Sequence, residues 1–311
     1  MISNDYINPK NSLVLFGLDE QFDFLLNLYN LKKFPKVLML KGKKGNGKFT
    51  LVNHFLSYVF DQDSYDIKNK TILANSTYYR QYMSDVFPNI IYLSGDYYKN
   101  IKVDDIRDLK SKILTTAMNN KNRFIILDDI ELFNTNSLNA LLKIIEEPTS
   151  NNHFILINNE TKPLIETINS RSLELKITLD KKMKTKIINL LIKKNDLKVF
   201  LDFDTLNITP GIFLRFNKIC DENSININDN FLKNMQLLLN LYKKKKDTNL
   251  INMILLLTDI YFYNLKTKNI RNIDNIIEDK SFVVNNINKF LTYNLNQNSL
   301  INAISNKITN E

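Results

Sequence analysis

Two short stretches carry residue types and spacings that could do chemistry. The first is Gly42-Lys-Lys-Gly-Asn-Gly47-Lys48, in which four residues separate two glycines and a lysine follows the second. Glycines let backbone N–H groups turn toward a phosphate. The start of a following helix adds its positive end, and the lysine reaches the outer phosphates. Gly42, Gly45, Gly47 and Lys48 are therefore the candidate phosphate contacts. A chance glycine-rich turn is the alternative. One position departs from the pattern. A hydroxyl that would hold magnesium belongs directly after the lysine, and Phe49 stands there. Thr50 comes next, but one helical step turns it about a quarter turn away.

The second stretch is Phe124-Ile-Ile-Leu-Asp128-Asp129. A buried strand ending in Asp is the expected second half of a phosphate site, with Asp128 positioning magnesium. A hydrolytic site would place Glu after it to polarise the attacking water. Asp129 is shorter by one carbon–carbon bond, about 1.5 Å. Glu131 lies two positions further on and is not expected to substitute. Strand-end carboxylates that merely cap a turn are the alternative reading.

The elements that must position these residues are legible up to about Ile177. Lys36–Lys41, Ile90–Leu93, Arg123–Asp128, His153–Asn158 and Ser172–Ile177 read as strands. Several are near-continuous apolar runs, as parallel strands buried on both faces require. Helical patterns lie between them. Asp104 is a candidate cap for a helix with Ile106, Leu109, Ile113 and Leu114 on one face. Asn134–Thr135 can cap another carrying Leu138, Leu141, Leu142 and Ile145, stopped by Pro148. Strands alternating with helices imply a doubly wound parallel sheet that binds ligands beyond its strands' carboxyl ends. After Asp180 the strand signal ends. Residues 181–195, 211–221, 228–246, 250–267 and weaker stretches from Asn272 onward read as helices. Lys243–Lys246 reads as a solvated helix end, where cations suit the helix dipole.

Composition narrows the rest. At roughly 100–200 residues per domain, 311 residues make two or three domains. Charged residues at 24% and apolar residues at 44% exclude wholesale disorder. Cys220 is the single cysteine, so neither an intramolecular disulfide nor a cysteine zinc cluster is expected. The amino-terminal residues do not read as a signal peptide, and no run reaches the ~18 apolar residues of a membrane helix. The net charge of +9 comes from 36 Lys and only 6 Arg, in a chain with 47 Asn and 4 Ala. That bias matches A/T-rich codons, so a solvated lysine surface competes evenly with a nucleic-acid footprint. An Arg kept at a motif position then carries more information than a Lys.

Four further runs carry a resemblance. Leu127-Asp-Asp-Ile-Glu-Leu-Phe-Asn134, Ser137-Leu-Asn-Ala-Leu-Leu-Lys-Ile-Ile-Glu-Glu-Pro148, Phe154-Ile-Leu-Ile157 and Ile168-Asn-Ser-Arg-Ser172 resemble the clamp-loader subunits of bacterial DNA polymerase III, which are AAA+ proteins. The Asn-Ala-Leu-Leu-Lys…Glu-Glu-Pro run is the most specific. The resemblance also takes in Val103-Asp-Asp-Ile-Arg107, the glycine loop and Phe16-Gly17, and covers roughly residues 8–178. It continues weakly at Thr209-Pro-Gly211, which looks like the lid motif. It implies an α/β fold: an AAA+, RecA-like parallel-sheet domain over 1–178, a helical lid over 179–222, and an all-α collar domain over 223–311.

The departures point to one branch of that family. The hydrolysing subunit has Ser or Thr after the loop lysine, Asp-Glu at the strand end, an Arg in the lid motif and a cysteine zinc module. Here the counterparts are Phe49, Asp128-Asp129 and Ile212, with Arg215 three residues late and no cysteine cluster. The resemblance is thus to the delta-prime subunit, a ring member that is not a competent motor. Its implied role is a trans arginine finger, Arg171, reaching a neighbour's ATP site. An exposed arginine in an internal salt bridge is the alternative. The implied partners are the gamma/tau ATPase and delta subunits, with the sliding clamp and primer-template DNA in the complex, in a bacterial cytoplasm. Its own site keeps ATP open as a ligand through the glycines, Lys48, Thr50 and Asp128, argues against magnesium, and implies no zinc. The competing classes are an active gamma/tau-like or other DNA-dependent AAA+ ATPase, and a stand-alone nucleic-acid binder.

Overall fold

The computed structural model describes residues 5–95, 101–114, 122–147, 151–227, 229–267 and 273–309. Its contacts divide it into two compact units, Met1–Asn195 with Ile208–Ile212, and Asp196–Asn207 with Phe213–Glu311. The three-part division read from the sequence is one of roles and stays an expectation.

The first unit is built on five strands: β1 (Val37–Lys41), then β4 (Ile90–Ser94), β5 (Arg123–Asp128), β6 (Asn152–Asn158) and β7 (Leu173–Lys176). A two-residue pair, β2 (Tyr65–Asp66) and β3 (Thr71–Ile72), forms a separate small antiparallel ribbon between β1 and β4 in the chain. The five strands are all parallel, in the order β4-β5-β6-β1-β7. The three central strands are buried along almost their whole length, and the edge strands β4 and β7 are not. This matches the apolar runs: a strand covered on both faces has no use for alternation.

Helices cover both faces. On one lie α1 (Asp19–Asn30), α2 (Lys48–Phe60) and α3 (Thr77–Met83), which bury Phe22, Leu25, Leu51, Phe55 and Tyr78 with Leu38, Phe124 and Ile126 of the sheet. On the other lie α4 (Val103–Leu114) and α5 (Thr135–Ile145), packing Ile106, Leu109, Leu138 and Leu141 on Met39, Ile125 and Phe154. A short α6 (Glu166–Asn169) precedes β7, and α7 (Lys181–Asn195) follows it.

Asn134 caps α5 as its sequence indicates, its side-chain oxygen accepting from the Ser137 N–H at 2.8 Å. Asp104 does not cap α4. That helix already begins at Val103, so Asp104 sits in its first turn and pairs with Arg107 at 2.7 Å, while Asp105 accepts from the Lys102 N–H. Pro148 and the Leu114 side chain lie outside the described residues.

The second unit is helical: α8 (Phe203–Leu206), α9 (Pro210–Asn223, its first turn in the first unit), α10 (Phe231–Lys245), α11 (Thr248–Thr267), α12 (Ile273–Tyr293) and α13 (Gln297–Thr309). Met235, Leu238, Leu239, Met253, Ile254, Val283, Ile287 and Ile304 form its buried stripes. Consecutive helices from α10 to α13 pack on one another, and α13 returns to α10. α10 starts at Phe231, with Asn230 accepting from the Lys233 N–H, later than the Asn228 expected from sequence. Asn228 itself is not among the described residues. Lys243–Lys246 is an exposed helix end, in agreement with its sequence reading.

The sheet unit depends on a cluster of rings. Phe55 is fully buried, stacked on Phe34 at 4.9 Å between centroids and edge-on to Phe124 at 5.7 Å. Phe55→Ala removes this ring from a site enclosed on all sides. It is expected to destabilise the unit by about 3–5 kcal/mol, read as a lowered midpoint in urea unfolding.

Candidate functional site: a self-filled phosphate loop and an exposed arginine

The loop after β1 has the backbone that its glycines permit. Gly42 has φ +152° and Gly45 φ +86°, and Gly47 is left-handed at +85°, directly before α2. A Cβ at Gly42 would lie 2.3 Å from the Ile177 carbonyl oxygen, and one at Gly45 2.3 Å from the Thr209 hydroxyl. Both positions therefore require glycine for space as well as for backbone angle.

Side chains of the same chain fill this loop. Lys48 is 3% exposed. Its ammonium donates to the Gly42 carbonyl and, at 2.9 Å, to the Lys43 carbonyl. Burial pushes its pKa down to about 8, against the upward pull of Asp128, Glu131 and Asp129. Asn46 donates to the Ile177 carbonyl at 3.0 Å. From the other side the Thr209-Pro-Gly211 segment closes on the loop. The Thr209 hydroxyl donates to the Lys44 carbonyl at 2.7 Å, and the Gly211 N–H to the Gly45 carbonyl at 2.9 Å.

The strand order brings the acidic residues to this loop. β6 lies between β1 and β5, so the residues after β6 sit between the glycine loop and Asp128. Asn159 occupies that point, with its side-chain amide 2.7 Å from Asp129 and 3.4 Å from Asp128. Asp129 is left-handed, at φ +50°, and nearly buried. Lys44 donates to both of its carboxylate oxygens, at 2.9 and 3.1 Å. Asp128 accepts from the Asp129 N–H at 2.8 Å and from the Tyr92 hydroxyl at 3.3 Å. Burial, and then the Asp129 charge, push its carboxyl up to about 6.

Glu131 is 5% exposed and committed to structure. It accepts from the Asn159 N–H, the Thr161 N–H and, at 2.8 Å, the Thr161 hydroxyl. Three of its four contacts fall on one carboxylate oxygen, and together they fasten Glu131 to the turn after β6.

These residues do not fit a magnesium nucleotide. Phe49 packs edge-on against Tyr92 at 5.2 Å, and the two rings line a cavity of about 260 Å³ that Asp128 also borders. An aromatic face thus stands where the pattern needs a hydroxyl. Thr50 is half-buried, and its hydroxyl makes no hydrogen bond among the described residues. Lys48 and Lys44, the cations available for phosphates, are held by loop carbonyls and by Asp129.

Arg171 lies elsewhere, just beyond α6, whose last turn it caps. Its guanidinium donates to the Thr167 carbonyl at 3.1 Å and the Ser170 hydroxyl at 3.4 Å, and pairs with Glu146 at 2.8 Å. Its side chain is 38% exposed. The internal salt bridge expected under the alternative reading is thus present. The neighbouring Ser172 hydroxyl donates to the carbonyls of Ile168 and Asn169, both at 3.1 Å, which fixes the turn that presents the arginine.

The fold thus brings Gly42, Gly45, Gly47, Lys48 and Asp128 together, places Arg171 outside that cluster, and leaves Thr50 unengaged. Sequence reasoning missed Lys44, Tyr92, Asn159 and Thr161. The signal for Asn159 is its place one residue past β6, at the strand's carboxyl end. Lys44, one lysine among 36, carried no such signal.

The raised carboxyl of Asp128 has a sign. In the unfolded chain it titrates near 3.8, and in the folded chain at about 6. The folded state therefore holds the proton longer, and stability is lost as pH rises from about 4 to 6. Asp128→Asn is expected to flatten that pH dependence. It is also expected to be more stable than wild type at pH 7 by on the order of 2 kcal/mol, measured by urea unfolding across pH 4–8.

Comparison with known proteins agrees with this geometry. A family profile described as "DNA polymerase III, delta subunit" matches residues 17–181. The DNA polymerase III subunit delta' of Pseudomonas aeruginosa is 37% identical over 76 residues, 24% of this chain and 23% of that protein. That of Buchnera aphidicola is 27% identical over 162 residues, 50% of this chain and 47% of the relative. The chain thus matches less than half the length of either relative. In fold, the crystal structure of a DNA polymerase III gamma subunit-related protein from Thermotoga maritima aligns with TM-score 0.51 at 15% identity. The alignment covers 91% of this chain and 98% of that one. The parallel-sheet unit, the self-filled glycine loop and the matched profile lead to one conclusion: this chain has the AAA+ fold and belongs to the DNA polymerase III delta-subunit family, as a delta-prime-like clamp-loader protein.

Proposed function

We propose that this chain is a non-motor subunit of the DNA polymerase III clamp loader. In this reading it helps load the sliding clamp on primed DNA in the bacterial cytoplasm. It assembles with gamma/tau ATPase and delta subunits and supplies Arg171 in trans to a neighbour's ATP site. The observation that carries the reading is a contrast within one chain. In its own phosphate loop an aromatic side chain, Phe49, packs on Tyr92 where hydrolysis needs a hydroxyl, whereas Arg171 stands outside that loop, half-exposed on an ordered turn and paired with Glu146. A planar guanidinium that stays charged suits the charge spreading over a transferring phosphoryl group. Such fingers are worth about 10³–10⁵ in rate.

The rival reading, an active ATPase, is disfavoured by Phe49, by the short Asp129 held by Lys44 and Asn159, and by a Glu131 fastened to the turn after β6. A stand-alone nucleic-acid binder would need the lysines organised on one surface. Several of them instead serve internal pairs, with Lys70 on Asp23 and Lys10 on Asp85.

Two outcomes are expected. In a loader reconstituted with ATPase and delta subunits, clamp and primed DNA, Arg171→Ala lowers DNA-stimulated ATP turnover at the neighbouring site by at least about 10³-fold. Unchanged turnover would remove the finger role. The isolated chain, incubated with ATP and magnesium, shows no multiple turnover. Sustained phosphate release would instead favour the motor reading.

A further inference from the structure

The ion pair on Arg171 carries a consequence that rests on the finger reading and deepens it. Glu146 stands at the carboxyl end of α5, in the Glu-Glu run, and its carboxylate reaches the terminal nitrogen of Arg171 across 2.8 Å. The other terminal nitrogen is tied to the Thr167 carbonyl and the Ser170 hydroxyl. Both terminal nitrogens of the guanidinium are therefore directed into the chain's own surface. A phosphoryl group bound through both terminal nitrogens would claim the edge that Glu146 now holds. The carboxylate would also repel an incoming phosphate at that distance.

We infer that Glu146 is a positioning residue that holds Arg171 retracted and yields it to a neighbour's terminal phosphate by carboxylate-for-phosphate exchange. The strength of the contact suits an exchangeable hold. The two side chains are 38% and 46% exposed, so their pair is solvent-screened and weak. A charge-assisted, two-pronged contact to phosphate is stronger and displaces it once the subunits close. Glu146 thereby keeps the neighbour's site slow until the ring reaches its closed form. The tie to the Thr167 carbonyl is shared by both states, so the swing is confined to the outer end of the side chain.

The test uses the reconstituted complex, with assembly verified by size-exclusion chromatography and ATP turnover measured with and without clamp and primed DNA. Glu146→Gln keeps size and shape but removes the charge. It is expected to raise turnover without DNA by about two- to fivefold, the range over which a surface ion pair withholds a group. DNA-saturated turnover stays at the wild-type value. In an Arg171→Ala background the same change has no effect, because nothing remains to be held. A merely structural glutamate would lower both rates together or reduce assembly. If Arg171→Ala slows turnover but Glu146→Gln leaves the DNA-free rate unchanged or lower, the holding role is wrong and the finger stands. If Arg171→Ala itself changes nothing, both fall.

Discussion

A buried ammonium at the carboxyl end of a parallel sheet must find negative charge or carbonyl oxygens. In this chain Lys48 finds them in its own loop, through the Gly42 and Lys43 carbonyls. Isolating a cation away from water is costly, and its ionisation drops toward neutral pH as a result. The surrounding residues follow from that constraint. Asp128, Asp129 and Glu131 supply negative charge around it, Lys44 and Asn159 offset part of the repulsion between Asp128 and Asp129, and Thr209 and Gly211 bond to the loop's outer side. The cluster is a network of mutual charges and hydrogen bonds, with Asp128 on its edge beside the cavity.

This network has a functional corollary. The phosphate loop and strand-end carboxylate of an AAA+ fold are arranged to receive a triphosphate and a cation. Bonded to one another, the same groups link the ends of β1, β5 and β6 to the Thr209–Gly211 segment. Phe49 takes this further, since its ring and that of Tyr92 pack together beside Asp128, where hydrolysis would need a hydroxyl and a hydrated ion. The turn bearing Arg171 follows α6, which packs on α5, so this side chain is held on the framework of the sheet unit. The helical unit adds a second buried core of its own, held together by helix-on-helix packing and, between α12 and α13, by the buried Asp279 paired with Lys307 at 3.2 Å.

Much of this was written in local sequence. The three central strands are recoverable from apolar runs because burial on both faces leaves few polar positions to obscure them; the edge strands β4 and β7 are shorter signals on half-exposed chain. The Asn134 cap and the helices after Asp180 follow from side-chain spacing alone. Local pattern failed where two similar residues compete. Asp104 and Asp105 are adjacent, both suited to the start of α4, and only the path of the chain into the helix decides which accepts the Lys102 N–H. The glycine loop, Lys48, Asp128 and Arg171 were legible because their residue types are restricted by phosphate chemistry. Lys44, Tyr92 and Asn159 were not, since Lys, Tyr and Asn are abundant here and their roles depend on neighbours far along the chain.

The sequence by itself determined the parallel-sheet architecture, the helical remainder, the family, and the loss of the hydroxyl and the Glu that hydrolysis requires. These depend on residue type at fixed spacing, which a chain carries without folding. The tertiary structure alone decided what occupies the loop, that Glu131 is spent on Asn159 and Thr161, and that Arg171 is paired with Glu146. The Glu131 and Arg171 contacts join residues 25 or more positions apart, across strands whose order in the sheet is not their order in the chain. No local pattern encodes them, because the partner of a charged side chain is chosen by the packing that brings the two together.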